Sequence, residues 1–411
     1  MGTGMDWLII AVFAAVYTGM ALGRWPGLAI NRTGVAMIGA VILFVAGAVS
    51  GPDALGSIDF HTLSVLLTLM VVSAQYAASG FFDWIGNRIT HMKLSSNGLL
   101  AGVIVVSGTL SALMTNDVVV WAMTPILIKG LMNRGLDPRA YIIAVACAAN
   151  AGSAATLIGN PQNLLIAHFG NLDFGDFILA CGIPAVMAMA MVYGVIAKSR
   201  LMDGNHAVIA PASLPDADQV VLDRPVLLKA VLATMALLMI FVFVEDRATW
   251  SLLIVAMLLL SRKLGTDRVL GMVDWHLLAL FSCLFIVTGA MAQNPDISGL
   301  FRGILAGLQI DASGVLAALS LIGSNTIGNV PLVMLLLPLG PEWSENMLYG
   351  LAIFSTLSGN FLIVGSVANI IAVERARALG VIITFGDYAR IGIPVTLISL
   401  VLAWGWVALA M

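Results

Sequence analysis

Long apolar runs broken by short polar interruptions fill this chain, and the interruptions come twice in the same order. Asn116 precedes Pro125 by nine residues and Asn329 precedes Pro338 by nine. Gly159-Asn160-Pro161-Gln162-Asn163 is answered by Gly365-Ser366-Val367-Ala368-Asn369, and Phe174-Gly175-Asp176 by Phe385-Gly386-Asp387. Earlier, Asp59-Phe60-His61 matches Asp274-Trp275-His276. The runs predict membrane-crossing helices near 6–22, 33–50, 60–80, 140–168 and 177–197, then near 226–244, 248–262, 275–293, 347–373 and 388–410. Between the third and fourth crossing of each set lies an apolar stretch with a polar middle, 97–130 and 311–340. Each arm counts roughly 12 to 15 residues, short of a full crossing, so each stretch is expected to be a re-entrant hairpin. The fourth crossings, 140–168 and 347–373, are expected to be broken helices.

The expected organisation is a first repeat over 1–197, a cytoplasmic linker over 198–224 and a second repeat over 225–411. Five crossings per copy is odd, so the second copy enters the membrane upside down. The fold class is an all-α polytopic membrane protein built as an inverted repeat of two five-crossing units, each with a re-entrant hairpin and a discontinuous helix. This map puts all 19 Lys and Arg residues on one side except Arg247 and Arg302. Basic loops mark the cytoplasmic face. Both termini are therefore expected to be extracytoplasmic, in a prokaryotic plasma (inner) membrane.

Composition narrows the function. Sixty per cent of the chain is hydrophobic and 10% is charged, too much apolar surface for a soluble domain. No basic patch interleaved with aromatics points to nucleic acid. The N-terminus lacks the positive region of a cleaved leader, so the first run reads as a retained helix. Cys147, Cys181 and Cys283 stand alone as packing residues, and no phosphate-binding G-x-x-x-x-G-K-[ST] loop is present. No His/Cys/Asp cluster at useful spacing supports an intramembrane enzyme. A channel would also use polar loops, but inverted re-entrant halves favour alternating access.

The hairpin tips, 111–117 and 324–329, and the two breaks carry the candidate chemistry. Non-helical backbone at membrane depth must be buried in protein or line a wet cavity. Half-helix N-termini favour anions, and freed carbonyls favour cations. Pro161 cannot continue a helical ladder and frees a carbonyl one turn earlier. In an inverted repeat the four segments converge near mid-depth. Thr115, Asn116, Asn160, Asn163, Ser324, Asn325, Thr326, Asn329, Asn360, Ser366 and Asn369 are then expected to bind substrate. Asn116, Asp117, Gly159, Asn329 and Gly365 are expected to bind a coupling sodium ion or proton, with no further metal and no cofactor. The competing reading makes these Asn and Gly residues simple helix caps. Asp117 stands out because an ionisable group at that depth is costly and its repeat partner is Val330. His61 and His276 read as helix-end residues, His168 as the end of the fourth crossing, and Glu374 as a solvated helix end.

These motifs resemble the ion transporter superfamily, in particular its branch of arsenical pump membrane proteins and NhaD-type sodium/proton antiporters, with a citrate-transporter-like domain. Thr115-Asn116-Asp117-Val118 ahead of Thr124-Pro125 looks like that branch's first tip, and Gly159-Asn160-Pro161-Gln162-Asn163 resembles its G-[DNT]-P-x-N break. Asn329-Val330-Pro331 and Gly359-Asn360 through Asn369 resemble the second tip and break. The resemblance implies a homodimer in the lipid bilayer with a scaffold and a mobile part made of the hairpins and the fourth and fifth crossings, moving like an elevator. It also implies a small anionic or oxyacid solute of the arsenite kind and, as in arsenical pumps, a place for a separate ATPase subunit. Sodium-coupled di- or tricarboxylate transport and sodium/proton antiport remain open alternatives.

Overall fold

A computed structural model describes residues 4–23, 25, 27–202, 221–308, 313–340 and 342–410. The first copy contains α1 (Gly4–Leu22), α2 (Arg32–Val45), α3 (Gly51–Ser57), α4 (Phe60–Ala78) and α5 (Phe81–Thr90). It continues with α6 (Ser96–Leu113), α7 (Asn116–Asn133), α8 (Arg139–Ser153), α9 (Pro161–Gly170) and α10 (Phe174–Ala197). The second copy repeats this series as α11 (Arg224–Phe243), α12 (Arg247–Leu259), α13 (Thr266–Leu270), α14 (Trp275–Gln293) and α15 (Pro295–Gly307). It ends with α16 (Ser313–Thr326), α17 (Asn329–Leu339), α18 (Glu345–Ser358), α19 (Val367–Ala378) and α20 (Phe385–Ala410). Every helix thus has its counterpart ten places further on.

Local chemistry explains the matched boundaries. Asp59 caps α4 by accepting from the Thr62 amide, and Asp274 caps α14 by accepting from Leu277. Asn31 and Asp246 cap α2 and α12 in the same way. Each side-chain cap pairs one of the amides a helix start leaves open. Pro125 and Pro338 lie inside the second hairpin arms, and Pro184 and Pro394 inside α10 and α20.

The packing repeats as well. α2 lies on α14 and α12 on α4; α6 lies on α8 and α16 on α18; α7 lies on α19 and α17 on α9; α10 and α20 meet each other. α8 is buried along its whole length after Arg139, and α18 is buried from Leu348 to Ser358. The outer helices turn large apolar side chains outward, including Val45, Leu179, Phe243 and Val401, as a lipid-facing surface requires. With no water to exclude between them, such helices associate through close packing and polar bonds. Gly152 of α8 shows the first: a Cβ there would fall on the backbone of Gly108 in α6.

One pair breaks the symmetry. α4 packs along α9, whereas α14 and α19 make little or no contact.

The structure corrects two expectations about the hairpins. The arms α6 and α7 are 18 residues each, not 12 to 15, because polar turns such as Ser96-Asn97, capped by Ser95, extend the helices past the apolar run. Arm length therefore does not decide re-entrance; the meeting of the tips at one cavity does. In the second hairpin, Ser324-Asn325-Thr326 is the last turn of α16 and the tip is Ile327-Gly328. The Thr326 hydroxyl bonds back to the carbonyls of Ile322 and Gly323, and the Asn325 amide to Leu321, which lets these polar residues stay helical. Gly328, at φ 98°, supplies the reversal. Most of the expected linker (203–220) and the start of the expected second hairpin (311–312) lie outside the described residues.

Candidate functional site

The two breaks are fastened by equivalent residues. Asn160 caps α9, its Oδ1 accepting the Asn163 amide at 2.9 Å. The Asn163 side chain donates to the carbonyls of Ser153 at 3.1 Å and Thr156 at 2.9 Å. In the second copy, Asn369 donates to the carbonyls of Gly359 at 2.6 Å and Leu362 at 3.1 Å. These acceptors correspond position for position. Unwinding a helix at membrane depth strands carbonyls, and one asparagine per break pairs two of them.

Each break is also held by the other copy. Asn150, buried in α8, accepts at Oδ1 from the Asn116 side chain (3.0 Å) and the Ser366 hydroxyl (3.0 Å). Its Nδ2 donates to Asn360 Oδ1 (2.8 Å) and Asn369 Oδ1 (3.0 Å). The counterpart of Asn150 is Thr356 in α18, whose hydroxyl accepts from Gln162 at 3.2 Å and from Asn160 at 3.4 Å. Asn150 thus braces the second break and Thr356 the first.

The tips join the breaks of their own copy. The Asn116 amide donates to the Gly159 carbonyl at 3.1 Å, and the Thr156 hydroxyl to Ala112 at 2.6 Å. Asn325 donates to the Ser358 carbonyl and accepts the Leu362 amide, while Ser324 bonds the Ser355 carbonyl. Asn116 and Asn329 each accept the following residue's amide at 3.0 Å. A Cβ at Gly159 would strike the Ser153 backbone, and one at Gly365 the Asn325 side chain, so both positions need glycine for this approach.

All four segments line one central cavity of about 60 Å³. Asn116 and Asp117 come from the first tip, Pro161 and Gln162 from the first break, Gly328 to Pro331 around the second tip, and Val364 to Val367 from the second break. Met20 of α1, Arg32 of α2, Ile327 at the second tip and Leu277, Leu280 and Phe281 of α14 complete the lining. Asp117, Pro161, Leu277 and Val367 also line a second cavity of about 500 Å³ that reaches the start of α14, with Thr115 and Asp274 in its wall. The centre therefore opens toward the end of the molecule that carries Gly271–Asp274. A third cavity of about 570 Å³, at the opposite end around Asp59, His61 and His168, shares no lining residue with the centre.

Among the described residues, no hydrogen bond reaches the Asp117 carboxylate, and the buried Thr115 Oγ1 and Gln162 Oε1 are unpartnered. Arg32 spends its Nε on the Met20 carbonyl at 3.1 Å and has no other hydrogen bond to a described residue. These are the groups free to meet a solute. Of the residues expected from the sequence, Asn116, Asp117, Asn329, Gly365 and Ser366 line the central cavity, and Thr115 lines the neighbouring one. Asn160, Asn163, Asn360 and Asn369 lie just behind, in the bracing network, and Ser324, Asn325 and Thr326 on the α16 side of the second tip. Asn150, Gln162, Thr356 and Arg32 are the contributors not expected to be part of the site.

The expected absence of a His/Cys/Asp cluster is also corrected. Asp59, His61 and His168 meet at the third cavity. Sequence spacing hides them because His168 reaches Asp59 across 109 positions. Burial raises the Asp59 pKa, but hydrogen bonds from His168 and Thr62 outweigh it and hold the carboxyl below its ordinary range.

The family model for citrate transporters, CitMHS, matches residues 8–342. The chain belongs to this family. It is a multi-pass membrane transporter of the ion transporter superfamily and not an enzyme. It is 26% identical to a 46 kDa membrane protein of Mycobacterium leprae, over 97% of both chains. It is 26% identical to the silicon efflux transporter LSI3 of rice, Oryza sativa, over 96% of this chain and 94% of that one. In fold it is similar to the YdaH transporter of Alcanivorax borkumensis, with a TM-score of 0.53 at 16% identity, over 97% of this chain and 95% of that one.

Proposed function

We propose that this family member is an ion-coupled secondary transporter of a small inorganic anion or oxyacid, of the arsenite kind. The observation that carries this is the central cavity, which joins both tips and both breaks around one free carboxylate and one guanidinium in about 60 Å³. By the measure in which one water needs about 10–15 Å³, that is room for about four waters, which suits a small solute. Arg32 and the amides at the half-helix starts suit oxygen-rich solutes. Asp117 takes the coupling proton or sodium ion. The rice relative, named for silicon efflux, supports the same class, since dissolved silicon is a small hydroxylated acid.

Movement is of the elevator type. The hairpins and α8–α10 with α18–α20 form the mobile part, and α1–α4 with α11–α14 the scaffold. The protein works as a homodimer in a prokaryotic inner membrane, with both termini extracytoplasmic and the basic loops inside. The larger central opening then faces the cytoplasm. A separate ATPase subunit would dock on that basic face.

The family's name favours a second reading, sodium-coupled citrate or succinate uptake. Reconstituted protein offered arsenite, silicic acid, sulfate, citrate and succinate under imposed proton or sodium gradients separates the two. Gradient-driven movement of arsenite or silicic acid is expected; movement of the carboxylates alone overturns the proposal.

A further inference from the structure

Outside the central site, a cluster of side chains at the opposite cavity has the composition of a metal centre. One ligand atom each from Asp59, His61 and His168 lies within 4.8 Å of the other two. His168 Nδ1 already sits 3.0 Å from Asp59 Oδ2, and the His61 and His168 rings are stacked 4.1 Å apart at an interplanar angle of 3°. We propose that these three residues bind a divalent transition-metal ion of the zinc class, and that the bound ion clamps the mobile part to the scaffold.

The donor set selects the ion. Two imidazoles and one carboxylate suit zinc, cobalt or nickel, whereas calcium and magnesium take oxygen cages. Three protein ligands leave one position for water from the cavity of about 570 Å³ that reaches the cluster. The Thr62 hydroxyl and amide both donate to Asp59, the outer support that orients a ligating carboxylate. Asp246, which caps α12, and Arg247 at its start add one charge of each sign beside His61, and Asp173 faces Arg247 in turn. A tetrahedral ion needs ligand atoms ~3.4 Å apart, so the cluster closes by a small step in which one imidazole tilts out of the stack. The His168 side chain, 45% exposed, has room for that rotation.

The consequence for motion rests on the elevator reading given above. Asp59 and His61 start α4, in the scaffold, and His168 ends α9, in the mobile part. Only where α4 and α9 pack together are the three ligands within reach. The matching residues at the other end, Asp274, His276 and Glu374, form no such group among the described residues, as expected where α14 and α19 stand apart. An ion at Asp59, His61 and His168 therefore holds the carrier with its centre open toward Asp274.

Zinc titrated into the purified full-length protein in detergent, followed by calorimetry, tests the site without any transport step. One ion per chain is expected, with binding weakened about tenfold or more in His168→Ala, in His61→Ala and in Asp59→Asn, and unchanged in His276→Ala. No binding, or binding that survives all three substitutions, overturns the site. Zinc added on the Asp59 side of proteoliposomes tests the clamp: it should stop solute movement in the unsubstituted protein and not in His168→Ala. Transport that zinc leaves untouched overturns the clamp. The calorimetric result stands whatever the solute proves to be, so a wrong solute and a wrong metal site are told apart.

Discussion

At the scale of single residues, the site divides into side chains that hold the backbone and side chains left over. Asn163 and Asn369 have both amide hydrogens committed to carbonyls of their breaks, and Asn150 has donor and acceptor committed four times. Asp117 has no such commitment. Asp117→Asn is therefore expected to fold normally and to lose gradient coupling, with solute uptake that no longer responds to pH between about 5 and 8; an unaltered pH profile refutes the coupling role. Asn150→Leu leaves several buried groups unpaired at once. It should lower stability by about 2 kcal/mol or more, read as a drop in melting temperature in detergent, with transport largely lost. The sequence made Asp117 conspicuous as a charge in an apolar run. Asn150 escaped because its matched position is Thr356, so a search for repeated asparagines passes over it. Arg32 escaped because a basic residue beside a helix start is already explained by the positive-inside rule.

At the scale of elements, the same chemistry is used twice with little variation. Asn163→Ala and Asn369→Ala each remove two bonds to equivalent carbonyls, so the two substitutions should lower stability by similar amounts, about 1–3 kcal/mol apiece, read as a drop in melting temperature. A large difference between them would mean the breaks are not held alike. Gly152→Ala sets a methyl against the Gly108 backbone and should cost about 1–3 kcal/mol by forcing α6 off α8. The helices and breaks were legible because apolar runs, prolines and caps act locally. The second tip lies further on than the sequence suggests because Asn325 and Thr326, loop-like by type, bond back to carbonyls of their own helix. The arms of the first hairpin are longer than the apolar runs suggest because their outer turns are polar yet helical.

At the scale of the whole molecule, the asymmetry between the α4–α9 and α14–α19 pairs opens the central cavity toward the Asp274 end. In a Cys283→Ser background, Ile371→Cys lines that opening and should react with a membrane-impermeant thiol reagent applied from the cytoplasmic side. Ser57→Cys, in the cavity around Asp59, should react from the opposite side. Labelling of both from the same side would refute the inverted arrangement of the openings. The repeat, the inversion and the convergence of tips and breaks could all be read before any coordinates, since parity and charge bias follow from counting. Which end is open could not, because both ends carry nearly the same motifs and the difference lies in how two pairs of helices pack.

The crossed bracing by Asn150 and Thr356 also bears on how such a protein is assembled. Each break is fastened by its own half but braced by a hydroxyl or amide that arrives from the sibling half. A lone half made without its sibling has only one source of the missing groups, an identical half inserted the other way up. Two separately translated halves should accordingly find one another and regain function without a peptide bond between them, while either one alone is left for the cell's proteases.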